Sequence, residues 1–135
     1  MAENLVGKRI LLVEDDDLVA MAVEDVLLFA QAEAVEIVGT VERALSALAR
    51  DRFDVVILDI SLRGHASWPV AVEVRRRNIP YLTVTGYGDM LDHELVGKLL
   101  PKPYSMQGLL TALSELLAND QPFPIQTSNP NGPDL

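Results

Sequence analysis

The chain has 135 residues, 49% of them apolar, no cysteine and a formal net charge of −9. That length fits one domain with a well-formed core and leaves no room for a second, while the lack of cysteine excludes disulfides and thiolate metal sites and makes a reducing compartment the default. The acidic balance repels nucleic-acid phosphates and argues against DNA binding.

Residues 8–14 carry Ile10, Leu11, Leu12 and Val13 in one unbroken apolar run that ends in acids. Such a run suits a strand buried on both faces of a parallel sheet. Over 16–31, Val19, Ala22, Val23, Val26, Leu27 and Ala30 recur at helical spacing, with anions in the first turn where the helix dipole favours them. A short strand is expected over 35–39, followed by a helix that Thr40 caps and that turns Ala44, Leu45 and Leu48 inward. The next strand, 53–58, is apolar up to Asp59. That charge is tolerable only if the strand stops there and the carboxylate emerges at an open end.

A loop over 60–67, containing Gly64 and His65, leads into a helix opened by Pro69 and ending near Asn78. Pro80 opens a strand through Tyr81, Leu82, Thr83 and Val84, and Thr85-Gly86-Tyr87-Gly88 follows as a flexible turn. A short helix is expected over 89–95 and a last brief strand over 97–100, ending in Pro101-Lys102-Pro103. Ser105 then caps a helix with Met106, Leu109, Leu110, Leu113, Leu116 and Leu117 on one stripe. Residues 119–135, rich in Pro, Asn and Ser, read as a disordered or loosely attached tail, which sets the domain at 1–118. Residues 1–7 lack a signal-peptide pattern and no apolar run approaches a membrane span, so a cytoplasmic protein without membrane contact is expected.

Five strands alternating with helices specify an α/β fold, a doubly wound parallel sheet with right-handed crossovers. Ligands bind such sheets beyond the carboxyl ends of the strands. Glu14 and Asp15 follow the first strand, Asp59 the third, Thr85 the fourth and Lys102 the fifth, so all five converge on one rim. Each close pair of carboxylates there repels by about 4 kcal/mol, which calls for a cation. Oxygen ligands without Cys or paired His select a hard ion, and Mg²⁺ is the common intracellular one. A carboxylate beside such an ion, with a lysine across from it and a hydroxyl nearby, suits in-line phosphoryl transfer with Asp59 as nucleophile. Lys102 would balance the phosphoryl oxygens, and Thr85 and the Gly86 N–H would hydrogen-bond another.

These residues resemble the receiver domains of two-component signalling over about 8–118. Ile10-Leu11-Leu12-Val13-Glu14-Asp15-Asp16 is similar to the family's opening motif, Val55-Val56-Ile57-Leu58-Asp59 to its phosphoacceptor strand, and Lys102-Pro103 to its Lys-Pro pair. The resemblance implies a flavodoxin-like (βα)5 fold of strand order 2-1-3-4-5. It implies Mg²⁺ bound directly by Asp15, by Asp59 and by the Ser61 backbone carbonyl, with Glu14 acting through water. Thr85 takes the switch hydroxyl's place, and the Lys-Pro bond is expected to be cis. The donor implied is the phosphohistidine of a sensor histidine kinase.

The spacing departs from the family pattern. From Asp59 to Thr85 and from Thr85 to Lys102 the chain is shorter than in most receivers, so the fourth helix should be stunted. Leu99 stands where many receivers carry an aromatic switch residue. Thr83-Val84-Thr85-Gly86-Tyr87 resembles the Phe-Ala-Thr-Gly-apolar-Tyr subgroup of stand-alone receivers, which is associated with kinases of the HWE and related classes and lets Tyr87 inherit the switching role. With no output domain in view, the signal would leave by protein contact, with 89–95, 97–100 and the last helix as candidate face, or by drawing phosphoryl groups away as a sink. The downstream partner is not readable.

Two rival functions share parts of this pattern. An aspartyl-nucleophile, Mg²⁺-dependent phosphatase would carry a second Asp where Ser61 stands. A degenerate receiver acting only as a binding module would lack the acceptor, the metal acid or the lysine, and all three are present. Among the remaining polar residues, His65 is expected to be solvent-exposed without a role, Arg75, Arg76 and Arg77 to be a solvated helix end, and Trp68 to cover the loop or offer a contact surface.

Overall fold

The computed structural model describes residues 5–86 and 94–118. Where a polar side chain precedes a helix it can take up a free backbone N–H, as at three of the helix starts below. Strand β1 (Arg9–Val13) leads to α1 (Asp17–Phe29), whose cap Asp16 accepts from the N–H groups of Leu18 and Val19. Strand β2 (Ala34–Val38) leads to α2 (Val41–Arg50), capped by Thr40 through the Arg43 N–H as expected. Strand β3 (Val55–Asp59) is followed by a small hairpin, β4 (Ser61–Leu62) and β5 (His65–Ala66), and by α3 (Trp68–Arg76) with Pro69 in its first turn. Strands β6 (Tyr81–Thr85) and β7 (Lys98–Pro101) complete the sheet. Helix α4 (Met106–Ala118) begins where the Ser105 hydroxyl accepts from the Gly108 N–H.

The two-residue period of a strand divides its side chains between two cores. Ile10 and Leu12 of β1, Val55 and Ile57 of β3 and Leu82 and Val84 of β6 join one cluster, which α1 and α4 close with Ala20, Val23, Leu27, Leu109 and Leu113. Leu11, Val13, Val56, Leu58 and Tyr81 join the other, closed by α2 and α3 with Ala44, Leu48, Val70 and Val74. Covered on both faces, these central strands are apolar along most of their length, with Asp59, Thr83 and Thr85 as buried polar exceptions, and burying each Leu, Ile or Val side chain contributes roughly 1.5–3 kcal/mol.

The five parallel strands lie in the order β2-β1-β3-β6-β7, the expected 2-1-3-4-5 arrangement of a flavodoxin-like sheet. From β1 the chain steps outward to β2 and then back past β1 to β3, so the carboxyl ends of β1 and β3 border a crevice at the switch of strand order.

Two expectations need adjustment and three fall outside this description. The stretch 60–67 is not a plain loop but contains the β4–β5 hairpin, with Ser61 opposite Ala66 and Leu62 opposite His65. Its strands are two residues each, too short for any periodicity to show. The strand expected over 53–58 runs from Val55 through Asp59, so the acid is its last residue, at the open end of the sheet as expected, and is buried there, only 2% exposed. The short helix expected over 89–95 falls almost wholly outside the described residues, as do the tail at 119–135 and Tyr87. Glu94 and Leu95 form a turn.

The chain returns to β7 against Tyr81. Its ring is fully buried, its hydroxyl donates to the Leu95 carbonyl, and Arg75 donates to that hydroxyl at 3.2 Å. Gly97 packs so closely that a Cβ there would lie 2.7 Å from the Tyr81 carbonyl oxygen. Its N–H donates to the Thr83 hydroxyl. Among the described residues no helix is long and apolar enough to cross a membrane.

Candidate functional site

Strand register places the polar residues. Val13 pairs with Leu58, and Leu58 with Thr83, so the next residues along, Glu14 and Asp59, lie side by side at the carboxyl edge. Both continue the parity of Leu12 and Ile57, on the side of the sheet that α1 and α4 cover. Asp15 follows. Carboxylate oxygens of Glu14, Asp15 and Asp59 lie within 4.8 Å of one another. One pair further along, Thr85 lies opposite Pro101, and its carbonyl accepts from the Lys102 N–H at 2.6 Å. Lys102 thereby reaches across, and its Nζ donates to Asp59 Oδ2 at 2.8 Å. The Lys102–Pro103 bond is cis.

The electrostatics are those of crowded anions. Glu14, 5% exposed, has its carboxyl pushed up to about 7 by burial. The Asp16 N–H on Glu14 Oε2 draws it back down, while the charges of Asp59 and Asp15 outweigh that of Lys102. For Lys102, burial opposes the ammonium, but the hydrogen bond and charge of Asp59, with Glu14 behind them, hold it above the usual lysine range. Burial raises the Tyr104 phenol, and the Glu14 charge adds to that. Three acids facing one ammonium leave negative charge uncompensated. Oxygen donors this close together fit a hard divalent ion.

The hairpin after β3 ties these acids together. The Ser67 N–H donates to the Ile60 carbonyl at 2.7 Å, while the Ile60 N–H donates to the Val84 carbonyl, and the alternation of the ladder then makes Ser61–Ala66 a non-hydrogen-bonded pair. The N–H and C=O of Ser61 therefore face away from β5, and that N–H donates to Asp59 Oδ1 at 3.1 Å. Ser67 is wholly buried, and its hydroxyl donates to the Asp59 main-chain carbonyl at 2.5 Å. At the hairpin tip the Arg63 N–H donates to Asp15 Oδ2 at 2.8 Å. Sequence reasoning assigned no role to Ser67 or Arg63, and nothing in their residue types marks them.

A family model described as the response regulator receiver domain matches residues 10–114. The chain belongs to the response regulator receiver family. The receiver is 38% identical to SdrG from Sphingomonas melonis Fr1, whose solution structure superposes with a TM-score of 0.73 over 82% of this chain and 97% of that one. A response regulator receiver protein from Sinorhizobium medicae WSM419 is 26% identical, with a TM-score of 0.71 over 83% of this chain and 95% of that one. The response regulator protein FleR of Pseudomonas aeruginosa is 32% identical over 130 residues, 87% of this chain. The receiver spans only 27% of the length of FleR.

Other polar residues of the receiver have structural partners. Arg76 and Arg77 both pair with Glu73, whose carboxyl their hydrogen bonds hold down at about 2, and Arg75 donates to Tyr81. Arg76 and Arg77 are exposed at the end of α3, in keeping with the solvated reading of this run, and Glu73, within four residues of both, lies in reach of each. Trp68, half-buried, packs on the α2–α3 core, and His65 is exposed on the hairpin.

The receiver also has an apolar outer face that the sequence did not reveal. On α1, Leu18, Met21, Leu28 and Phe29 are exposed, Leu18 by 79% and Phe29 by 91%. Helical spacing puts them on one stripe. Leu18, Val19 and Ala22 continue into a groove of about 720 Å³ that Tyr104 and Met106 close and that reaches Lys102 and Gly86.

Proposed function

We propose that this receiver takes a phosphoryl group from the phosphohistidine of a sensor histidine kinase onto Asp59. The observation that carries the reading is the meeting of Asp59, buried on the sheet rim, with Lys102 on one oxygen, the Ser61 N–H on the other and two further acids within 4.8 Å. Asp15, Asp59 and the outward-facing carbonyl of Ser61 would hold Mg²⁺, with Glu14 acting through water. The bound ion would neutralise charge on the phosphoryl oxygens and among the three acids.

In the transfer an Asp59 carboxylate oxygen forms a bond to phosphorus as the P–N bond to the donor imidazole breaks, and the imidazole leaves with the electron pair. Asp59 needs no base, because a carboxylate oxygen is itself the nucleophile, and the Lys102 ammonium is already hydrogen-bonded to the group. Lys102 and the hydroxyl of Thr85, with the Gly86 N–H, balance the oxygens of the phosphoryl group as it arrives. Thr85 then moves toward the new charge, and a partner reads the changed surface around it. The apolar face of α1, continuous with the groove at Lys102, supports a protein as donor, since a large exposed apolar patch beside a site marks protein contact. We place this exchange in the cytoplasm, with kinases of the HWE and related classes as donors.

The test is intact-mass spectrometry after incubation with Mg²⁺ and acetyl phosphate. The expected result is one added phosphoryl group in the wild type and none in Asp59→Asn. An adduct that survives that substitution, or no adduct at all, overturns the reading.

A further inference from the structure

The β4–β5 hairpin does more than fill the connection between β3 and α3. Its two-residue turn, Arg63-Gly64, has φ values of 52° and 81°. Two consecutive left-handed residues make the primed turn whose twist matches the flanking strands, and Asn-Gly is the pair that adopts it most readily. An arginine at the first position is unfavourable there. The turn points the Arg63 N–H at Asp15 Oδ2, 48 residues away in the chain, while the base of the hairpin is fastened to Asp59 through Ser67. One short hairpin thus connects two of the three clustered acids.

We infer that the hairpin is a positioning device for the metal site: the Arg63 backbone N–H, aimed by the left-handed turn, orients the Asp15 carboxylate and thereby sets the receiver's affinity for Mg²⁺. The inference rests on the Mg²⁺ reading above. A carboxylate has two oxygens, so a bond to Oδ2 restricts the rotation of the group and leaves Oδ1 for the cation. Partners of this kind, which touch the ligand rather than the metal, change metal affinity by roughly 10- to 100-fold when removed. The backbone rather than the guanidinium makes the contact, so the decisive substitutions are those that alter the turn.

Gly64 offers one such position. A Cβ there meets nothing within 4 Å, so a side chain acts through backbone conformation and not through a clash. Gly64→Val, β-branched and averse to positive φ, is expected to weaken Mg²⁺ binding about tenfold by isothermal titration, and Gly64→Asn, which tolerates that conformation, to restore it. The second pair is Arg63→Asn against Arg63→Gln. Both remove the same charge, but only Asn favours the turn, so Arg63→Asn should bind Mg²⁺ more tightly than Arg63→Gln. In the ¹H–¹⁵N spectrum the Arg63 amide should respond to Mg²⁺ in the wild type and lose that response in Gly64→Val.

If the wild type binds Mg²⁺ and all four variants bind it equally, with the Arg63 amide unmoved, the positioning role is overturned while the metal reading stands. If the wild type binds no Mg²⁺, both fall together. Should Gly64→Val fail to fold, the two Arg63 variants decide the matter, because that side chain is exposed.

Discussion

The hydroxyl of Ser67 holds the main-chain carbonyl of Asp59 from eight residues further along the chain, with both side chains buried. The bond closes the hairpin onto the end of β3, at the point where the acid must be held still. Ser67→Ala leaves that carbonyl without this donor in a buried site, at a cost of about 1–3 kcal/mol. Urea denaturation should show the loss, and the rate of Asp59 phosphorylation by acetyl phosphate should fall with it. Unchanged stability would mean that water or a neighbour replaces the hydroxyl.

Lys102→Met removes the ammonium on Asp59 and separates two roles of that charge. The cation neighbouring a divalent site disappears, so Mg²⁺ affinity should rise by at least about threefold. The phosphoryl oxygens lose their partner, so transfer from acetyl phosphate should slow despite the tighter metal. Calorimetric titration and intact-mass time courses measure the two effects separately, and weaker Mg²⁺ binding in the variant would contradict this division.

Glu14 makes metal-free stability depend on pH. Its carboxyl titrates near 4.5 in an unfolded chain and at about 7 in the folded one, so the folded state holds the extra proton between those values. The contribution is fully present below about 4.5 and is lost as pH rises through about 7, a change on the order of 1–3 kcal/mol. Glu73 has the opposite sign, its stabilisation being lost as pH falls from 4.5 through about 2, so it leaves the neutral window alone. With EDTA present, the urea midpoint should therefore fall from pH about 5 to about 8. Glu14→Gln should flatten that slope, and added Mg²⁺, which favours the ionised carboxylate, should reverse it.

The connection into β7 depends on a close fit between Gly97 and Tyr81. Gly97→Ala would bring a methyl group to 2.7 Å from a backbone oxygen that cannot move without disturbing β6. A loss of about 1–3 kcal/mol is expected from that overpacking, and about 1 kcal/mol for Tyr81→Phe, which removes the hydroxyl that holds Leu95. Thermal or urea unfolding of both variants gives the comparison. A neutral Gly97→Ala would show that the returning chain has room to shift.

The fold and the central acids were legible in the sequence because they break a local pattern. Unbroken apolar runs mark strands covered on both faces, and a carboxylate at the end of such a run, as at Glu14 or Asp59, stands out against its neighbours. Thr40 and Ser105 announce helix starts because a cap acts on the next three residues and needs nothing distant. Those statements depend only on near neighbours along the chain, which is why residue order alone determined them.

What the tertiary structure decided depends on partners far away in sequence. Helix α1 is apolar around much of its circumference, and only its seat on the sheet leaves Ala22, one of the residues at helical spacing, exposed beside Leu18 and Phe29 while Val23 and Leu27 are covered. Arg63 and Ser67 have their roles through backbone groups, and a backbone N–H or carbonyl is the same in every residue, so no residue type signals where it points. The grip of the hairpin on Asp15 and Asp59 exists only once β1 and β3 lie side by side.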